Sequence, residues 1–104
     1  VTEWMLDNLA ENLRIDQLAH RALMSPRTFA RRFRADLGTT PASWLNRQRL
    51  IRAQQLLEET TTGLEQVAAL TGFGSAAVMR NHFVRVLDTT PAAYRRTFSY
   101  RGVS

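Results

Sequence analysis

Neither cysteine nor lysine occurs in the sequence. Without thiols there is no disulfide scaffold and no thiolate metal site. No apolar run approaches the roughly 20 residues needed to span a bilayer, and nothing resembles a signal peptide. A glycine-rich phosphate loop, a nucleophile–base pair and clustered carboxylates are also missing, so the chain does not read as an enzyme. His20 and His82 fall on different predicted helices with no third ligand at a suitable spacing, which argues against a metal or catalytic pair. No cofactor is expected. What remains is a chain of 104 residues, 44% of them hydrophobic, enough for one compact domain or two very small ones sharing a helix. It begins at Val1 rather than methionine, and we expect a soluble, cytoplasmic piece of something longer.

All 14 basic residues are arginine, the side chain best suited to paired contacts with phosphate and guanine. Their placement says more than the net charge of +5. Residues 1–24 carry two arginines against four acids, and residues 53–79 carry three acids and no arginine. Residues 25–52, by contrast, carry seven arginines against Asp36 alone, and residues 80–104 carry five against Asp88. Two basic blocks separated by acidic ones suggest two contact surfaces for a polyanion. A basic membrane-binding helix would show one continuous basic and apolar stripe instead.

The sequence also repeats itself. At an offset of 50, Ser25 meets Ser75, Phe29 meets Met79, Phe33 meets Phe83 and Leu37 meets Leu87. Thr39-Thr40-Pro41-Ala42 then recurs as Thr89-Thr90-Pro91-Ala92, with Trp44 against Tyr94. Upstream the offset is 49, and Asp16-Gln17-Leu18-Ala19 matches Glu65-Gln66-Val67-Ala68. The second copy therefore has one more residue in its turn, where Gly72 and Gly74 flank Phe73. Two copies are too few for a solenoid, and a duplicated motif with a connector fits better.

Each copy reads as a short helix, a tight turn and a longer helix. Asp16–Ala22 is the first short helix, with Leu18, Ala19 and Ala22 on one face. Ser25 caps the longer helix, Pro26 sits in its first turn, Phe29, Phe33 and Leu37 are its buried stripe, and Gly38 ends it. In the second copy Val67, Ala68 and Leu70 mark the short helix, and Met79, Phe83 and Leu87 the buried stripe behind the Ser75 cap. Helices joined by so short a turn cross steeply, as in a helix-turn-helix. Between the copies, Pro41–Glu59 follows a Thr40 cap as one amphipathic helix with Leu45, Leu50, Ala53, Leu56 and Leu57 on its apolar side. Its 19 residues span roughly 28 Å, close to the roughly 34 Å between successive major grooves on one face of DNA. Thr2–Leu13 in front, with Met5, Leu9 and Leu13 in register, and Pro91–Phe98 at the back complete the count. The expectation is an all-α fold of seven helices: a first helix-turn-helix subdomain at about 1–40, a linker helix at 41–59 and a second subdomain at 60–104.

On these residues the chain resembles the AraC/XylS family of transcription regulators over nearly its whole length. The matching pieces are Leu18-Ala19, Met24-Ser25-Pro26-Arg27-Thr28-Phe29 with Arg31 and Phe33, then Gly38 and Pro41. The linker adds Trp44-Leu45, Arg49-Leu50, Ala53 and Leu56-Leu57. The second half adds Val67-Ala68, Gly72-Phe73, Phe83, Pro91 and Tyr94-Arg95. The resemblance implies a two-motif domain that binds double-stranded promoter DNA in the bacterial nucleoid and usually activates transcription, with RNA polymerase as a partner. It also implies a separate sensing or dimerisation domain outside this chain. Trp4-Met5 with the run from Met24 to Phe33 is similar to the subgroup whose partner domain has an amidotransferase-like fold. Two positions depart from the pattern. Asp88 replaces the usual glycine at the end of the second long helix, and Arg14 stands where a serine or threonine cap is common.

Site residues follow from helix faces. Arg27, Arg31 and Arg34 lie opposite the buried stripe, and early residues of a recognition helix reach base edges while later ones diverge toward the backbone. Arg27 and Arg31 are expected at bases, with Ala30 close enough for a thymine methyl group, and Arg32 and Arg34 at phosphates. On the second long helix the same face offers Ala76, Ala77, Arg80 and Asn81: asparagine suits adenine, arginine suits guanine, and the alanines suit apolar or loose contact. With fewer polar groups, this helix is expected to discriminate less. Helix N-termini add phosphate contacts, so the starts of the two short helices and of the closing helix near Thr90 are candidates, with Arg95 and Arg96 beside the last. Arg49, beside Leu50, reads as an interior salt-bridge partner, His20 as exposed, His82 as surface or phosphate-facing, and Trp4, Trp44 and the phenylalanines as packing. A helical protein-interaction module and an RNA-binding domain are the competing readings. Arginines on both long helices argue against the first, and the narrow major groove of A-form RNA against the second.

Overall fold

Among the described residues seven helices follow one another: α1 (Thr2–Asp7), α2 (Ile15–Arg21), α3 (Pro26–Leu37), α4 (Pro41–Glu59), α5 (Leu64–Thr71), α6 (Ala76–Leu87) and α7 (Pro91–Val103). The structure is a computed structural model and describes residues 1–103, with side chains as far as Phe98. Among the described residues there is no strand, as the all-α expectation requires.

Side-chain caps set four of the starts. Ser25 Oγ accepts the Thr28 N–H at 3.2 Å, and Ser75 Oγ accepts that of Val78 at 3.2 Å. Thr40 Oγ1 accepts from Ser43 at 3.2 Å and Thr90 Oγ1 from Ala93 at 3.1 Å. Each threonine precedes a proline, whose missing N–H would have had no partner in the first turn. α2 starts differently, because an arginine side chain has no acceptor to offer. Here Gln17 Oε1 accepts the Arg14 N–H at 3.3 Å. Gly38 at φ 75° and Asp88 at φ 57° close α3 and α6 in left-handed conformations. α6 therefore stops at the same repeat position as α3, although an aspartate stands for the glycine.

The tight turns repeat bond for bond. Met24 N–H reaches the Ala19 carbonyl at 2.9 Å, and Phe73 N–H reaches that of Ala68 at 3.0 Å. Both bonds span five residues at an offset of 49, so the additional residue of the second turn is Gly74, at φ 90°.

The chain forms two compact units, Val1–Gln48 and a second from Arg49 onward, and the division falls inside α4. In the first, Leu18 and Ala19 of α2, Phe29 and Phe33 of α3 and Leu45 of α4 pack with Met5 and Leu9. In the second, Val67 and Ala68 of α5 and Met79 and Phe83 of α6 pack with Leu50, Ala53, Leu57 and Phe73. An edge-on ring pair recurs in each: Phe33 with Trp44 at 5.9 Å, and Phe83 with Tyr94 at 5.9 Å.

Three expectations are corrected. The first helix ends at Asp7, not Leu13. Asn8 Nδ2 donates to the Trp4 carbonyl at 2.8 Å, occupying the acceptor that Asn8 N–H would need to continue the helix, and that N–H turns to Met5 O at 3.2 Å. Leu37 is 44% exposed rather than buried. Steps of four residues drift about 40° each, so Leu37 lies about 80° around the helix from Phe29. On α5, Leu70 is 48% exposed while Thr71 is buried, with Oγ1 donating to the Val67 carbonyl at 2.8 Å. α7 runs past Phe98 to Val103.

Candidate nucleic-acid interface

With Phe29 and Phe33 turned into the core of the first unit, Arg27, Arg31 and Arg34 fall within about 60° of one another on the opposite side of α3. All three are exposed, and Ala30 is half-buried beside them. Arg32 is exposed as well but is not gathered with the others. It lines a groove on the other flank of α3, with Trp4, Arg21 and Asp36. In that groove the Arg21 guanidinium stacks 4.1 Å above the Trp4 ring.

The same four stations on α6 hold Ala77, Arg80, Asn81 and Val84, all exposed. Val84, 46% exposed, is the counterpart of Arg34; the repeat carried that signal, and reasoning from polar groups passed it over. Ala76, Ala77, Arg80 and Thr90 come together around one depression of about 390 Å³, completed by Leu64, Pro91 and Ala92. The Thr90 hydroxyl serves as the α7 cap, and the Ala76 N–H donates to Glu65 Oε1 at 3.3 Å.

One arginine joins the expected set and another leaves it. Arg85, absent from the expected set, is exposed, and its Nη2 donates to His82 Nδ1 at 3.0 Å. His82 is not a plain surface residue. It is half-buried with its ring 5.1 Å from that of Phe73, and burial, then the charges of Arg85 and Arg49, hold its pKa below the usual histidine value. Arg95, expected at a phosphate, points elsewhere: its Nε donates to the Leu57 carbonyl of α4 at 3.4 Å and its Nη2 is buried. A guanidinium near the C-terminal carbonyls of a helix is favourably placed against the helix dipole. Arg96 remains exposed and His20 is exposed as expected. Arg49 is half-buried, and desolvation lowers its pKa.

Among the described residues no cluster could hold a metal ion, and no helix is long and apolar enough to cross a membrane. Two helix-turn-helix units, each presenting the same four stations away from its own core, define a duplicated helix-turn-helix protein. A helix-turn-helix domain family matches residues 18–97, and the chain belongs to it. It is 42% identical over 86 residues, 83% of its length, to the HTH-type transcriptional regulator Rv1931c of Mycobacterium tuberculosis, and covers 33% of that protein. It is 32% identical over 93 residues to the HTH-type transcriptional activator RhaS of Citrobacter koseri, covering 89% of this chain and 34% of that one. The chain thus spans about a third of the length of these relatives.

Solved structures agree with the expected AraC-type fold. The DNA-binding domain of the transcriptional factor AdpA, crystallised with a target DNA, superposes with a TM-score of 0.92 at 44% identity, covering 96% of this chain and 90% of that one. An AraC-type regulator from Chromobacterium violaceum gives 0.84 at 30% identity, covering 93% and 87%.

Proposed function

We propose that this chain is the DNA-binding part of a bacterial transcription regulator, an activator, that reads duplex promoter DNA by placing α3 and α6 in adjacent major grooves. The observation that carries this reading is the repeated set of outward-facing stations, Arg27, half-buried Ala30, Arg31 and Arg34 on α3 and Ala77, Arg80, Asn81 and Val84 on α6. The likeness to a domain crystallised on its target DNA supports it.

In this reading Arg27 and Arg31 bond base edges, Ala30 meets a thymine methyl group, and Arg34 holds phosphate. On α6, Asn81 and Arg80 read bases, and Ala76, Ala77 and Val84 offer methyl groups. Arg32, Arg85, Arg96 and the backbone at Thr90 supply further phosphate contacts. RNA polymerase is the partner of the activating step. A separate domain, amidotransferase-like in its subgroup, senses the signal or dimerises, and the whole works on the nucleoid without enzymatic activity of its own.

Selection from a random duplex pool tests the proposal. Two short boxes about one helical turn apart are the expected result. Binding should weaken by about three to five decades between about 50 and 200 mM salt, for roughly 6–10 neutralised phosphates. Arg31→Ala should cost about 1–3 kcal/mol and relax preference at one or two base pairs. A flat salt response would favour the protein-interaction module.

A further inference from the structure

The two recognition helices begin under different charge. Glu65 sits in the first turn of α5, and its Oε1 accepts the N–H of Ala76, the first residue of α6, at 3.3 Å across eleven residues of sequence. The first unit is built otherwise. Pro26 stands where Ala76 stands, and it has no N–H to give. The counterpart of Glu65 is Asp16, one methylene shorter, whose Oδ1 lies 3.7 Å from Arg14 Nε. The differences go together: α6 opens with an N–H and a carboxylate long enough to take it, and α3 has neither. A carboxylate at a helix start is favourable for the helix, so the bond is stable without any ligand.

Its consequence lies in what it does to an approaching duplex. Glu65 is exposed, and the residues beside its bond, Ala76 and Ala77, project only methyl groups. A negative charge here repels phosphate. It also repels every acceptor on the major-groove floor: guanine N7 and O6, adenine N7 and thymine O4. The donors on that floor are the amino groups, cytosine N4 foremost for a carboxylate partner.

We propose that Glu65 is a specificity-determining residue, which selects a base presenting an exocyclic amino group, cytosine in the first place, at the head of α6. The inference rests on the reading of α6 as a DNA-recognition helix. It adds to the attractive contacts of Arg80 and Asn81 a negative filter that α3 lacks, so the head of α6 discriminates by exclusion.

Glu65→Gln is the informative variant. It keeps a side-chain oxygen for the Ala76 N–H and removes the charge, so a purely structural cap survives the change. The wild-type chain and Glu65→Gln are each taken through selection from the same random duplex pool, and affinities are then measured on sites differing at the enriched base pair. The wild type is expected to enrich cytosine at one position of the second box. Glu65→Gln should lose that enrichment at that position alone. The ratio of affinities between cytosine and the disfavoured bases should fall roughly tenfold, largely because disfavoured sites bind more tightly. Identical motifs and ratios from the two proteins would overturn the proposal and leave Glu65 as a cap only. Should the wild type select no motif at all, the DNA-binding reading fails and this inference falls with it. Matching melting temperatures for the two proteins exclude loss of α6 as the cause.

Discussion

Leu23 and Gly72 hold the same place in the two tight turns, both in left-handed conformations, at φ 58° and φ 90°. Each N–H bonds a carbonyl three residues back, His20 at 3.0 Å and Ala69 at 3.4 Å. Only the glycine adopts this conformation without a steric penalty, which for an L side chain is about 1–2 kcal/mol. Leu23 is 92% exposed, so its side chain returns little by burial. Leu23→Gly is therefore expected to stabilise the first unit by about 0.5–1 kcal/mol, the strain relieved less the greater unfolded-state freedom of glycine. Denaturant unfolding measures this, and a loss of stability would mean that the leucine makes contacts of its own.

A second prediction concerns alkaline pH. Tyr94 Oη donates to the Glu58 carboxylate and accepts from Gln54 Nε2 at 3.3 Å, tying α7 to the last turns of α4. Burial, then the Glu58 bond, pushes the phenol pKa up to about 12 from its ordinary 10.0. Between those values the unfolded chain gives up this proton while the folded chain keeps it, so stability falls as pH rises through that window. No lysine is present to titrate in the same range. Tyr94→Phe should cost about 1 kcal/mol at neutral pH and flatten the alkaline decline. Unfolding midpoints of both proteins from neutral pH to pH 11 check it, and parallel declines would remove Tyr94 as the cause.

How much of this was legible beforehand differs by kind of feature. Serine and threonine caps, prolines in first turns and the paired offsets of 49 and 50 are local chemistry, and they placed the helices and the duplicated architecture. The stations of Arg27, Arg31, Asn81 and their neighbours followed from helical periodicity alone. Periodicity does not say which flank a neighbouring element covers. That is why Leu37 was placed inside, and why Arg95 was sent to a phosphate instead of the Leu57 carbonyl. Contacts between separate helices, such as the Glu65 carboxylate with the Ala76 N–H, leave no trace in either helix's own pattern. The Asn8 side chain stopped α1 by a competition that spacing does not record.

The His82–Arg85 pair predicts the acid limb. Only a neutral Nδ1 can accept the Arg85 N–H, and burial with two nearby guanidiniums holds the His82 pKa below its ordinary 6.5. As pH drops below 6.5 the unfolded chain binds a proton at this histidine before the folded chain does. Stability is therefore full above that value and declines as pH falls toward the lowered folded value. His82→Gln keeps an acceptor for Arg85 and cannot titrate, so its unfolding midpoint should vary less over the same range. Equal slopes for the two proteins would locate the acid sensitivity elsewhere.

Arg34 and Val84 give the last prediction, because they occupy one station in two copies. If both long helices meet the duplex by the same face, a charge at that station meets phosphate in either copy. Arg34→Ala should then weaken every sequence alike and reduce the slope of log affinity against log salt by about 1. Val84→Arg should do the reverse: tighter binding to all sequences, a slope steeper by about 1, and an unchanged base preference. Val84 is 46% exposed, so the substitution buries no charge and should leave folding intact. The double variant, with the charge moved from α3 to α6, should return to nearly the wild-type slope, since sites on separate helices act additively. Salt titrations of all four proteins on one duplex decide it. A Val84→Arg slope equal to that of the wild type would mean that α6 does not approach the backbone by the face α3 uses, and the two units would then grip DNA in different ways.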